Sequence, residues 1–177
     1  MATMTTHRRL AEIRRHIEEL QTRARSGGAE TRTRLQTKLD TLREEEAAAR
    51  AAAHEKAEAV DDQVRQLEIN MAIAGNRLAS EMADDETSFA HAVNAELHNW
   101  DAAIERLQTR AAAKAPNVRA QAEREIAELR QARNRAAERL AELHTSSDEA
   151  WEEQKNRVTA ELDALERKVR AGTAKFH

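Results

Sequence analysis

Apolar residues recur along this chain three, four, three and four positions apart, with Leu10, Ile13, Ile17, Leu20 and Ala24 setting the rhythm. That spacing places them on one narrow stripe of an α-helix, where a half-buried strand would show strict alternation. The rhythm returns at Leu35, Leu39, Leu42, Ala49 and Ala53, and at Val64, Leu67, Met71 and Leu78. It resumes at Val93, Leu97, Trp100, Ile104, Leu107 and Ala111, then at Ile126, Leu129, Ala136, Leu140 and Leu143, and finally at Trp151, Val158, Leu162, Leu165 and Val169. A seam this narrow, with charge on every other face, has to be buried against partner helices. The predicted fold is all-α: an elongated antiparallel helical bundle of coiled-coil character, whose helices of about 25 residues are about 35–40 Å long. These seam positions, Trp100 and Trp151 included, are its expected core.

The breaks between the periodic segments differ in strength. Ser26-Gly27-Gly28 is a clear helix stop, and Lys114-Ala115-Pro116-Asn117 places a proline in the first turn of the next helix. Thr145 to Glu149 is the third, with Ser146 and Glu149 spaced as a capping box. Asp84-Asp85-Glu86-Thr87-Ser88 offers cap residues without Gly or Pro. At Val60-Asp61-Asp62 a turn is signalled only weakly, and one continuous helix from Ala29 to Ala83 is the alternative.

The pentapeptide LQTRA occurs at Leu20–Ala24 and again at Leu107–Ala111, an offset of 87 residues. Shifting the whole chain by this offset sets Ile17 on Ile104, Glu18 on Glu105, Leu42 on Leu129, Arg43 on Arg130, Ala49 on Ala136 and Leu78 on Leu165, without a gap. Seam falls on seam elsewhere too: Ile13 on Trp100, Leu39 on Ile126, Val64 on Trp151 and Met71 on Val158. Heptad phase alone would keep two unrelated helices in register. The added signal is that a break meets a break, Gly27-Gly28 aligning with Lys114-Ala115. Two tandem three-helix units are therefore expected, residues 1–87 and 88–177, and the offset supports a turn near Asp61. Gly75 opposite Leu162, and Leu67 opposite Gln154, mark places where the two copies pack differently.

The second unit, with Trp100 in its first helix, Ala150-Trp151-Glu152 opening its last and Phe176 near the end, resembles a group of small bacterial coiled-coil proteins about one such unit long. The resemblance covers residues 90–177 and reaches the first unit only through the duplication, Ile13 and Val64 standing in for the tryptophans. It implies a small helical protein of unassigned role, connected with stress or cell-envelope upkeep.

Composition agrees with long exposed helices: 34 % of residues are charged, 2 % aromatic, and one Pro and four Gly leave few turn-makers. Cysteine is absent, which removes thiolate chemistry and disulfides. No segment has the apolar run of a membrane span or signal peptide, so a cytoplasmic protein is expected. The net charge of −3 is unevenly spread, since residues 1–43 hold ten Lys/Arg against five Asp/Glu while residues 44–106 hold five against fifteen.

Candidate chemistry is sparse. Metal binding in a helical bundle favours Glu-x-x-His pairs, and none of the seven histidines has an acid three residues before it. His54 with Glu58 and His91 with His98 are near misses, read as surface residues. Paired acids at Asp61-Asp62 and Asp84-Asp85 read as helix caps, and no phosphate loop or dinucleotide fingerprint occurs. No catalytic residue, cofactor site or metal site is expected. Arg8, Arg9, Arg14, Arg15, Arg23 and Arg25 form the one basic run suited to phosphates of lipid or nucleic acid. Interleaved Glu12, Glu18 and Glu19 and the lack of stacking aromatics argue against it. The expected function is a non-enzymatic coiled-coil scaffold or protein–protein interaction module, whose partner is a second copy or another helical protein. The alternative is a peripheral binder of anionic surfaces through the first helix.

Overall fold

The computed structural model describes residues 2–26, 29–53, 57–143 and 151–175, and all its regular structure is helical. Six helices follow one another: α1 (Ala2–Ser26), α2 (Ala29–Ala53), α3 (Ala57–Glu81), α4 (Glu86–Ala112), α5 (Pro116–Leu143) and α6 (Trp151–Lys175). The chain divides into two compact units, Met1–Asp84 and Asp85–His177. In the first, α1, α2 and α3 pack on one another pairwise; in the second, α4, α5 and α6 do the same.

The seam residues make the interior of each unit. Leu10, Ile13, Ile17 and Ala24 of α1 are buried with Leu35, Leu39, Leu42 and Ala49 of α2 and Val64, Leu67, Ala74 and Leu78 of α3. In the second unit α4 buries Leu97, Trp100, Ile104, Leu107 and Ala111, α5 buries Ile126, Leu129, Ala136, Leu140 and Leu143, and α6 buries Val158, Leu162, Leu165 and Val169. Branched and straight aliphatics at this spacing interlock across helix pairs, and removing them from water is the main force holding the helices together. Contacts between α4 and α5 run in opposite senses, Asp101 meeting Arg133 while Gln108 meets Arg130.

Helix ends follow local chemistry. Asp85 is the N-cap of α4, its carboxylate accepting the Ser88 backbone N–H at 2.9 Å and the Ser88 hydroxyl at 2.7 Å. The divide between the two units coincides with this cap. Those hydrogen bonds, the backbone one first, favour the ionised carboxylate and hold the Asp85 pKa below its ordinary value of 3.8. A depressed native pKa stabilises the fold above the unfolded value and loses that effect as pH falls through the native value. Thermal melts are accordingly expected to show an acid limb below the ordinary Asp value that shrinks in Asp85→Asn, which keeps a capping side chain and loses the titration. Identical acid limbs in the two proteins would assign the acid sensitivity elsewhere.

At the other end of α4 the Ala113 and Lys114 amides fold back onto the Arg110 and Ala111 carbonyls, and Pro116 opens α5. Arg119 reaches back to donate to the Ala112 carbonyl at 2.8 Å, satisfying one of the C-terminal acceptors of α4.

The turn expected at Val60-Asp61-Asp62 is corrected. Asp61 lies inside α3, four residues after its start, and the break between α2 and α3 falls before Ala57. One helix running from Ala29 to Ala83 is excluded as well, because α2 packs against α3. Asp61 is fixed in the helix by ion pairs to Arg9 and Arg65 instead of serving as a cap. The Gly27-Gly28 stop, the Ser146/Glu149 capping box, His54 and Phe176 lie outside the described residues.

Four positions are less enclosed than the pattern predicts, Met82 among them because the offset of 87 sets it on the seam residue Val169. Met82 follows the last residue of α3 and is 38 % exposed, its amide closing a final turn on the Leu78 carbonyl. Met71 and Leu20 are partly buried at the edge of the core. Leu20 faces Gly75, where no side chain stands to cover it: a Cβ there would lie 3.6 Å from Leu20 Cδ2. Trp151, the first described residue of α6, is partly buried.

The space at Gly75 has a measurable consequence. A methyl group would meet ordinary van der Waals contact, and glycine inside a helix is destabilising through its backbone entropy. Gly75→Ala is expected to stabilise the first unit by about 0.5–1 kcal/mol, seen as a higher thermal midpoint. A lower midpoint would mean that α1 and α3 need the bare backbone there.

Candidate functional site

The polar side chains that link helices are the most specific feature of this surface. In the first unit the Arg9 guanidinium of α1 forks between two acids of α3, with Nη1 2.7 Å from Asp61 Oδ1 and Nη2 2.8 Å from Glu68 Oε2. Arg9 Nε also donates to Glu68 Oε1 at 3.0 Å, so the Glu68 contact is bidentate. The hydrogen bond to Glu68, ahead of the other influences, holds the guanidinium still more firmly protonated than usual. Sequence reasoning grouped Arg9 with the surface arginines; the structure removes it from that set, because α1 turns it toward α3.

The remaining arginines of the basic run are exposed, and several are neutralised along their own helix. Arg8 pairs with Glu12, Arg14 with Glu18 and Arg15 with Glu19, each four residues on, at 3.3, 3.6 and 3.8 Å. Such exposed pairs stabilise little, but they interleave negative charge through the basic stripe. Arg23 and Arg25 sit exposed in the last turn of α1, where cations suit the helix dipole.

Between the first and second helices of each unit the same polar contact appears twice. Arg43 of α2 donates to Gln21 of α1, and Arg130 of α5 donates to Gln108 of α4, the latter at 2.7 Å. Gln21 and Gln108 are the second letters of the two LQTRA copies, and both arginines keep the offset of 87. The threonines of the two copies behave alike, Thr22 donating to the Glu18 carbonyl and Thr109 to the Glu105 carbonyl at 3.0 Å each. A further link, Arg133 to Asp101 at 2.8 Å, joins α5 to α4.

An aromatic and charged group marks the start of α4 and α6. The Phe89 and Trp151 rings meet edge to face with centroids 5.4 Å apart, and Lys155 Nζ lies 5.8 Å from the first and 5.5 Å from the second. Two to three turns farther along α4, the Trp100 indole N–H donates to Glu96 Oε1 at 3.1 Å, and both residues are buried. The heptad pattern missed Phe89 and Glu96 because they flank the seam; the four-residue spacing of Glu96 and Trp100 was the available signal for their contact.

Among the described residues there is no group of three or more His, Cys, Asp or Glu able to hold a metal ion, and His91 and His98 are exposed. Also among the described residues, no helix is long and apolar enough to cross a membrane. Comparison of the chain with family models, with curated proteins and with solved structures finds no match.

Proposed function

We propose that this chain is a non-enzymatic coiled-coil scaffold or protein–protein interaction module, built from two tandem antiparallel three-helix units and acting in the cytoplasm. The observation carrying this reading is the use made of the polar side chains: Arg9, Arg43, Arg130 and Arg133 all bind neighbouring helices. The recurrence of the Gln21–Arg43 contact as Gln108–Arg130 at the offset of 87, together with seam residues buried in matching places, supports a duplicated helical unit whose chemistry is spent on architecture. Long helices with charged outer faces offer extended surfaces for a second copy or another helical protein. The resemblance of residues 90–177 to small bacterial coiled-coil proteins agrees with this.

The competing reading, attachment of α1 to anionic lipid or nucleic acid, loses Arg9 to α3 and faces acids four residues from Arg8, Arg14 and Arg15. The test joins sedimentation of the pure protein with binding to anionic vesicles and duplex DNA at low salt. A discrete species of defined mass that binds neither is the expected result. Saturable binding that collapses with rising salt and is lost in an Arg8, Arg14, Arg15, Arg23 and Arg25 to Gln variant would replace the scaffold reading.

A further inference from the structure

Resting on the reading of the chain as a duplicated three-helix unit, we propose that reversed charges at matching positions decide which helices pack together. Each unit thereby accepts its own helices, or those of the same unit in a second copy, and rejects those of the other unit.

The Gln21–Arg43 and Gln108–Arg130 contacts are the same in both units, so they fix axial register and cannot tell one unit from the other. Other matching positions carry opposite signs. Arg9 of α1 grips Glu68 of α3; adding 87 to each gives Glu96 of α4 and Lys155 of α6. Asp101 of α4 pairs with Arg133 of α5; subtracting 87 gives Arg14 of α1 and Glu46 of α2. Both partners change sign together, at two different helix–helix interfaces. Asp61 and its counterpart Asp148 are alike and do not discriminate.

Many seam stations are the same in both units, Ile17/Ile104, Leu42/Leu129, Ala49/Ala136 and Leu78/Leu165 among them, while Trp100 and Leu162 stand where the first unit has Ile13 and Gly75. A tandem repeat with similar seams is prone to exchange of helices between its copies. Charge adds to the distinction that side-chain size makes at those few stations. Placing α1 on α6 would set Arg9 beside Lys155, and placing α4 on α3 would set the buried Glu96 against Glu68 and Asp61. Likewise α1 on α5 would oppose Arg14 to Arg133, and α4 on α2 would oppose Asp101 to the buried Glu46. Each of these four pairings therefore brings like charges together, and unlike partners are told apart by repulsion as much as by attraction.

The absence of native cysteine makes the test direct in the full-length chain. Leu20→Cys with Gly75→Cys reports α1 on α3, these positions being neighbours; Leu20→Cys with Leu162→Cys reports α1 on α6, Leu162 being the counterpart of Gly75. Each pair is refolded from urea and treated with a short bismaleimide. With native charges only the first pair is expected to cross-link, within one chain or between two. Rewriting the first unit with Arg9→Glu, Glu68→Lys, Arg14→Asp and Glu46→Arg should raise the yield of the Leu20/Leu162 cross-link about tenfold. Equal yields in the two backgrounds, both high or both nil, overturn the proposal.

A thermal measurement guards against variants that misfold. Arg9→Glu and Glu68→Lys should each lower the midpoint by about 4–8 °C, and the double variant should regain most of the loss. A double variant no more stable than the single ones also overturns the proposal. If Leu20→Cys/Gly75→Cys fails to cross-link with native charges, the three-helix unit itself is at fault.

Discussion

Trp100→Ala is expected to cost the second unit about 3–5 kcal/mol, the range for deleting a large buried aromatic side chain. Trp100 is only 3 % exposed, so the substitution opens a void among seam residues and removes the indole donor from the buried Glu96 carboxylate. Trp100→Phe separates the two effects. It retains much of the ring volume and loses the N–H, so the expected cost is about 1–3 kcal/mol, the range for depriving a buried polar group of a partner. Chemical unfolding followed by circular dichroism reads both. If the two variants lose the same amount, the hydrogen bond and not the packing sets the importance of Trp100.

Phe89→Ala is expected to follow closely, at about 3–5 kcal/mol. Phe89 is fully enclosed although it stands in the first turn of α4, and it meets the Trp151 ring edge to face. Its removal takes away a packing partner of Trp151 and one of the two rings beneath Lys155, so the effect should also be optical. With Trp100 replaced by Phe to silence the other indole, Trp151 emission should shift to the red in the Phe89→Ala protein. An unshifted spectrum would show that Trp151 is sheltered by other residues. Because both tryptophans lie in the second unit, the emission reports that unit alone.

Helix type and the identity of most core residues were legible in the sequence because a three-four spacing admits only one periodic structure. Leu39, Leu42, Ile104 and Leu129 needed no further information. The turn near Asp61 was misplaced because an Asp pair satisfies a helix cap and an interhelix ion pair equally well on paper. Only the distance to Arg9 distinguishes them. Arg9 itself was grouped with Arg8 for a related reason, since neighbouring arginines in a charged stretch look alike until the helix turns one inward. The Gln21 and Gln108 contacts were half visible: the repeated LQTRA marked the station, while the arginine that answers it lies 22 residues away on the next helix. The sign reversal at Arg9/Glu96 and Glu68/Lys155 was present in the alignment at offset 87, but it acquired meaning only once Arg9 was seen to grip Glu68.

The fork of Arg9 also bears on mechanics. Asp61 and Glu68 are seven residues apart, two turns or about 10 Å of helix rise, and one guanidinium holds both. Sliding α1 along α3 in either direction carries the arginine away from one of the two carboxylates. Under a force applied along the helix axes, this contact would act as a detent, adding to the resistance that the interlocked seam side chains offer to small slippage in both directions.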